Sequence, residues 1–184
     1  YVNRSNTDIY EYYLDGEKIY GMPTPKLRES DRLTKNSAIE TEPALSPDGR
    51  YLALISDRTG SPQVYVRDMQ RKKLTRITEN GNYNVSPSWS PDGKFIAYAS
   101  RRSGVSSIYR IDPKSKEENR VTPKNMNAES PTWSPDGSMI AFSGKKGGDW
   151  KIYYSLSSGG QAVRLTNSKA GLQETMPSWG PSLR

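Results

Sequence analysis

The sequence predicts an all-β protein: a β-propeller of four-stranded antiparallel blades, with about four blade-equivalents present. Three observations lead there. A unit of 44 residues recurs, apolar and polar residues alternate with period two inside each unit, and 15 glycines and 13 prolines are spread between the alternating runs. Alternation of this kind puts one set of side chains on each face of a strand, and evenly spaced turn residues separate short strands. Several strands per unit at such a period are the mark of propeller blades.

The repeat is read in columns. Ser-Pro-Asp-Gly stands at Ser46–Gly49, Ser90–Gly93 and Ser134–Gly137, in steps of 44. Pro43, Pro87 and Pro131 precede the motif, and Pro177 follows after a step of 46. Trp89, Trp133 and Trp179 align, with Leu45 in the first copy, and Tyr10, Tyr65, Tyr109 and Tyr153 share another column. Arg32, Arg76, Arg120 and Arg164 recur at steps of 44, each followed by an apolar residue and a threonine.

Each unit then resolves into elements in order. An inner strand ends at the tryptophan, and the Ser-Pro-Asp-Gly turn follows. Proline presets φ, aspartate bonds nearby amides and glycine accepts positive φ. The second strand is "KFIAYAS" or "SMIAFSG", and a glycine hairpin leads to the third, "QVYVRD", "SIYRID" or "KIYYSL". The fourth is the short "RIT", "RVT" or "RLT" segment. One propeller thus covers 1–184: a partial blade at 1–39, units at 40–83, 84–127 and 128–173, and a final inner strand at 174–184. The partial blade carries an insertion, "EKIYGMPTPKLRESD", and the final strand could complete it and close a ring. Because the serine and aspartate of the turn recur three times, they read as structural and not as an active site. The arginine column reads as packing or a repeated salt bridge, since an arginine stem can cover apolar surface while its head stays wet.

Composition narrows the function. The net charge is +7, but clusters such as Arg71-Lys72-Lys73, Arg101-Arg102 and Lys145-Lys146 sit beside turn signals and read as solvated loops. No nucleic-acid motif accompanies them, so no nucleic-acid partner is expected. No apolar run approaches a membrane span, so no membrane insertion is expected. The chain opens at Tyr1 without a leader-like segment, which reads as a mature or trimmed protein. With no histidine and no cysteine, neither a Ser-His-Asp nor a Cys-His nucleophile can be assembled. A carboxylate pair from Glu40, Glu129 or Glu174 lacks a visible apolar pocket to raise one pKa, so catalysis is not expected. No cofactor is expected, and no ordered metal.

The loops just before each inner-strand proline vary between copies while their flanks do not. They are Glu40, Thr41 and Glu42; Tyr83, Asn84, Val85 and Ser86; Asn127, Ala128, Glu129 and Ser130; and Gln173, Glu174 and Thr175. Variation against a constant frame suits a binding mouth, and it also suits ordinary loops. Four glutamates among them would make that mouth acidic within a basic body.

"SDRTGSPQVYVRD", "NYNVSPSWSPDGKFIAYASRR", "ESPTWSPDGSMIAFSG" and the tail "MPSWGPSLR" resemble the repeats and the ending of the TolB family, the periplasmic propellers of the Tol-Pal system. The resemblance spans 1–184. It implies a periplasmic, non-catalytic interaction scaffold serving outer-membrane integrity and cell division. It also implies a six-bladed propeller, of which this chain would be the C-terminal two-thirds, behind an α/β domain these residues do not include. The implied partner at the propeller mouth, at the loops named above, is the peptidoglycan-associated lipoprotein Pal. Some colicins use the same surface, and TolA is met through an N-terminal segment outside these residues. Similar repeats occur in propellers that screen substrates for prolyl oligopeptidase-like and tricorn-like serine peptidases, whose catalytic domain would lie outside this chain. The ending at "WGPSLR" argues against that alternative. A third reading, the propeller of an outer-membrane anchoring protein with a peptidoglycan-binding domain, would need further sequence too.

Overall fold

The alternating apolar runs pair into three four-stranded antiparallel sheets in a computed structural model that describes Ile9, Leu33, Thr34 and residues 37–180. The first sheet comprises β1 (Glu40–Leu45), β2 (Tyr51–Ser56), β3 (Gln63–Asp68) and β4 (Lys73–Arg76). The second comprises β5 (Tyr83–Trp89), β6 (Ile96–Arg102), β7 (Val105–Ile111) and β8 (Glu118–Arg120). In the third, β9 (Asn127–Trp133), β10 (Met139–Lys145), β11 (Lys151–Leu156) and β12 (Val163–Arg164) follow in the same order. Each strand pairs with its neighbour in sequence, so each sheet is a meander and a propeller blade. Tyr10, the insertion before Arg32, Arg32 itself and the tail from Pro181 lie outside the described residues.

Both faces of a central blade are buried. On β6, Ile96 and Tyr98 join Ala53, Ile55, Val64, Val66 and Ile77 of the first sheet, while Ala97 and Ala99 turn toward the third. There they meet Trp133, Ile140 and Phe142, so small residues on one blade make room for large ones on the next. The other face of the first sheet packs Leu52, Leu54 and Tyr65 around Ile9 and Leu33.

The tryptophan column does more than fill space. The Trp89 indole N–H donates to the Ala44 carbonyl at 3.0 Å, Trp133 to Ser88 at 2.9 Å, and Trp179 to Thr132 at 3.1 Å. Each ring thereby ties its own inner strand to the inner strand of the preceding blade. Residues 174–180 carry no ladder assignment, yet Trp179 forms this bond and Met176 adopts φ 55°, matching Glu42, Ser86 and Ser130 at 51°, 56° and 53°.

The Ser-Pro-Asp-Gly turn is a closed network. Ser46 Oγ donates to Asp48 at 2.6 Å and accepts the Tyr51 amide at 2.9 Å, while Asp48 takes the Arg50 amide at 3.1 Å. The bonds recur at Ser90/Asp92 and Ser134/Asp136. Positive φ at Gly49, Gly93 and Gly137 completes the turn, and the open side of Gly93 and Gly137 lets Pro47 and Pro91 of the preceding turn approach. The hydroxyl bond, then the amides, hold Asp48 below the usual carboxylate range and bring Asp136 to about 2. In Asp92 partial burial pushes upward, but the same bonds outweigh it.

The fourth strand ends two residues earlier than the sequence suggests, and threonine is the reason. Backbone pairing continues through Ile77 N to Val64 O at 3.0 Å, and then the Thr78 hydroxyl accepts the Val64 amide at 3.0 Å in place of a carbonyl. Thr34, Thr122 and Thr166 do the same for Ile9, Ile108 and Ile152. Arg76, Arg120 and Arg164 each donate Nε to the carbonyl of that threonine, at 2.6, 2.9 and 2.6 Å. The arginine column thus caps a strand end, where the sequence suggested packing or a repeated salt bridge.

Replacing Trp133 with Phe removes the interblade bond to the Ser88 carbonyl. Urea unfolding is expected to show a loss of about 1–3 kcal/mol. Because the turn aspartates have depressed folded pKa values, their stabilisation is present above the unfolded value of about 3.9 and fades as pH falls below it. The melting-temperature gap between the native chain and Ser134→Ala is therefore expected to shrink as pH drops from about 4 toward 2, read by circular dichroism.

Candidate functional site at the mouth of the inner strands

The entry to each inner strand is shaped by the residue before its proline. Proline disfavours right-handed helical backbone there, and Glu42, Ser86, Ser130 and Met176 all take the left-handed region. The ladder slips at the same place, between Thr41 and Ala44, Val85 and Ser88, and opposite Ala141 to Ser143. This bulge bends the inner strand and re-aims the residues ahead of it. No residue type marks it in the sequence beyond the proline itself.

The fourteen residues predicted for the mouth divide by burial. Glu42, Tyr83, Asn127, Gln173 and Thr175 are exposed, and Thr41, Val85, Ser86, Glu129, Ser130 and Glu174 are half-buried. Glu40, Asn84 and Ala128 are fully buried and serve the sheets. Ala128 packs with Trp133 and Phe142. Asn84 donates Nδ2 to Gln63 Oε1 at 2.7 Å and to the Asn80 carbonyl at 3.0 Å, and Thr78 donates to the same Gln63 oxygen at 2.8 Å. Glu40 is ion-paired with Arg58, whose guanidinium also lies 5.0 Å from the Tyr65 ring centroid.

Buried polar nodes thus join the third strand of one blade to the inner strand of the next. Lys151 stands in the Gln63 column and Glu174 in the Asn84 column, and they meet at 3.4 Å. The Lys151 ammonium also donates to the Ser168 hydroxyl and, at 2.8 Å, to the Leu172 carbonyl. Bonds from Thr166, Ser168 and Lys151 outweigh desolvation and hold Glu174 below its ordinary range. Sequence reading missed these pairings because their two columns change together and no single column is constant.

The mouth is accordingly less acidic than four glutamates suggest. Arg58 offsets Glu40 and Lys151 offsets Glu174, while Glu42 Oε2 accepts the Ser86 amide from the adjacent blade at 2.6 Å. The exposed surface that remains is Glu42, Tyr83 beneath the Arg101 guanidinium at 5.1 Å, Asn127, Gln173 and Thr175, with Glu129 half-buried beside them. Gln173 is fixed from both ends: its Nε2 donates to Asp149 and its Oε1 accepts the Trp150 amide, each at 2.9 Å. Such a rim of amide, carboxylate and aromatic groups can bind a polar protein surface. Among the described residues no three carboxylates or other ligating side chains converge to hold a cation.

A second charged node stands on β8. Glu118 accepts both Arg102 nitrogens, at 2.7 and 2.8 Å, together with the Tyr98 hydroxyl and the Asn80 amide. Burial pushes its pKa up, but these donors prevail and hold it below the usual value. Burial and the adjacent carboxylate push the Tyr98 phenol far up, so it stays protonated. Every group in this node is matched, which suits a fastening between strands.

Residues 12–183 match the model of the TolB beta propeller domain. Among curated proteins, the Tol-Pal system protein TolB of Bordetella pertussis is 50% identical over 34 residues, 18% of this chain and 8% of that protein. Among solved structures, a protein assigned as TolB from Agrobacterium tumefaciens is 28% identical with a TM-score of 0.67, covering 75% of this chain and 50% of that one. TolB from Acinetobacter baumannii is 26% identical with a TM-score of 0.65, covering 76% and 35%. The chain therefore spans half or less of the relatives it matches. Likeness to prolyl endopeptidases, at 17% identity and a TM-score of 0.56, reflects the fold alone.

Asn84→Ala deletes a buried amide and with it the bonds to Gln63 and the Asn80 carbonyl that tie the two blades. A loss of about 1–3 kcal/mol is expected on thermal or urea unfolding.

Proposed function

The chain belongs to the TolB beta propeller family, and from that premise we propose that it is a non-catalytic interaction scaffold of the Tol-Pal envelope system. Its partner is a peptidoglycan-associated lipoprotein, which it meets in the periplasm at the mouth of the inner strands. In that role it contributes to outer-membrane integrity and cell division. The observation that carries the reading is the mouth itself. A constant bulge before each proline presents side chains that differ from blade to blade, among them Glu42, Tyr83, Asn127 and Gln173. Packing explains the frame, and the exposed faces of those side chains are open to recognition.

Several features support the assignment. The relatives are named as Tol-Pal proteins, and no helix among the described residues is long and apolar enough to cross a membrane. The rim offers aromatic and amide groups of the kind that anchor protein interfaces. A role as the screening domain of a serine peptidase has the fold in its favour and no feature of the mouth beyond that. Contacts with TolA and colicins would run through other parts of a longer protein or share this rim.

Calorimetric titration with the soluble domain of a Pal-type lipoprotein from the same source is expected to give saturable binding. Glu42→Lys with Tyr83→Ala is expected to weaken it at least tenfold without changing the melting temperature by more than a few degrees. Absence of binding to this chain and to any longer protein that contains it would overturn the assignment of the partner.

A further inference from the structure

Two clefts open between neighbouring blades on the face that carries the Ser-Pro-Asp-Gly turns, and the repeat makes them counterparts. The cleft between the first and second sheets has a volume of about 940 Å³, and the one between the second and third about 310 Å³. One column sets them apart. Val66 lines the larger cleft, while its equivalent 44 residues on is Arg110 in the smaller, with its guanidinium 4.5 Å from the Phe95 ring centroid. A short side chain leaves open the space that a long one occupies in the next copy.

The rims differ as well. Arg71, Lys73, Lys94 and Lys114 border the larger cleft, and the equivalent positions one repeat on are Ser115, Glu117, Ser138 and Ser158. Packing of the repeat therefore does not require four cations there. The floor is apolar, formed by Tyr51, Val66, Ile77, Trp89 and Phe95, with the Tyr51 and Trp89 rings 6.3 Å apart. Four aspartates also border the cleft; Asp92 pairs with Lys94 at 3.3 Å and Asp68 with Arg50 at 3.5 Å, and all four are held by their own loops as well. Asp48 and Asp92 accept the turn serine and an amide, and Asp68 and Asp112 each accept two amides.

We propose that this cleft is a docking site for an acidic peptide segment of a partner protein. The segment lays an aromatic side chain on the Tyr51–Trp89 floor and sets its carboxylates against Arg71, Lys73 and Lys114. Rings stack favourably on such a floor, and opposite charge around it guides the approach. The volume suits one large side chain and its neighbours. The cleft lies at the opposite ends of the inner strands from the mouth, so its occupation is independent of the lipoprotein reading.

The test is fluorescence anisotropy with a fluorescein-labelled octapeptide of Asp and Glu around one central Trp, titrated with the whole 184-residue chain at low salt. Saturable binding is expected. Lys73→Glu with Lys114→Glu should weaken it at least tenfold, and Val66→Arg, which copies the next blade, should abolish it. If Val66→Arg fails to fold by circular dichroism, the surface pair decides. Lack of saturable binding, or affinity unchanged in the folded variants, would overturn the site. Equal affinity for the peptide without Trp would reduce it to bare charge attraction. Competition by indole-3-acetate at equal concentration would make the ligand a small anion and overturn the peptide.

Discussion

An indole N–H bonded to the carbonyl of the preceding inner strand is the interaction on which the blade arrangement depends. Each sheet is apolar on both faces and must be covered twice, which the hydrophobic effect alone would permit in many slightly different stackings. The bonds from Trp89, Trp133 and Trp179 select one of them, because each fixes a donor on one blade against a particular carbonyl on the last. The apolar ring fills the interface and its polar edge sets the register. Where the column holds Leu45, that side chain is 56% exposed, and a carbon side chain can supply no such bond.

Around this spine the fold divides labour between constant and variable positions. The serine-aspartate turn and the threonine hydroxyl are constant because they satisfy backbone groups, whose geometry is the same in every blade. The buried polar nodes change from Gln63–Asn84 to Lys151–Glu174. Their task is only to match each other: either a neutral or an ionic pair will serve, provided both members change. A change in one alone would leave a buried donor or charge without its partner.

The blades were legible in the sequence because periodicity, turn chemistry and the tryptophan column all repeat together. The strand order and the structural part of the Ser-Pro-Asp-Gly motif follow from those columns. Less legible was which mouth residues face outward. Glu40, Asn84 and Ala128 occupy one column with three different characters, yet all are buried, because the bulge beyond them sets the facing and the proline alone does not reveal it. The charge of the mouth was equally hidden. It depends on Arg58, from the turn after β2, and Lys151, from β11, which pair with glutamates 18 and 23 residues away in sequence.

The threonine that takes over an amide from the carbonyl ladder also governs how the molecule meets its neighbours in solution. Because the side chain ends pairing early, the outermost strands are only four, three and two residues long. A blade edge is otherwise an invitation to another chain's strand, and brevity is one of the ways natural sheets refuse it. The arginine before each threonine then covers the carbonyl that would extend the edge. A protein with several sheet rims thereby gains resistance to edge-to-edge aggregation from the same two residues that finish its strands.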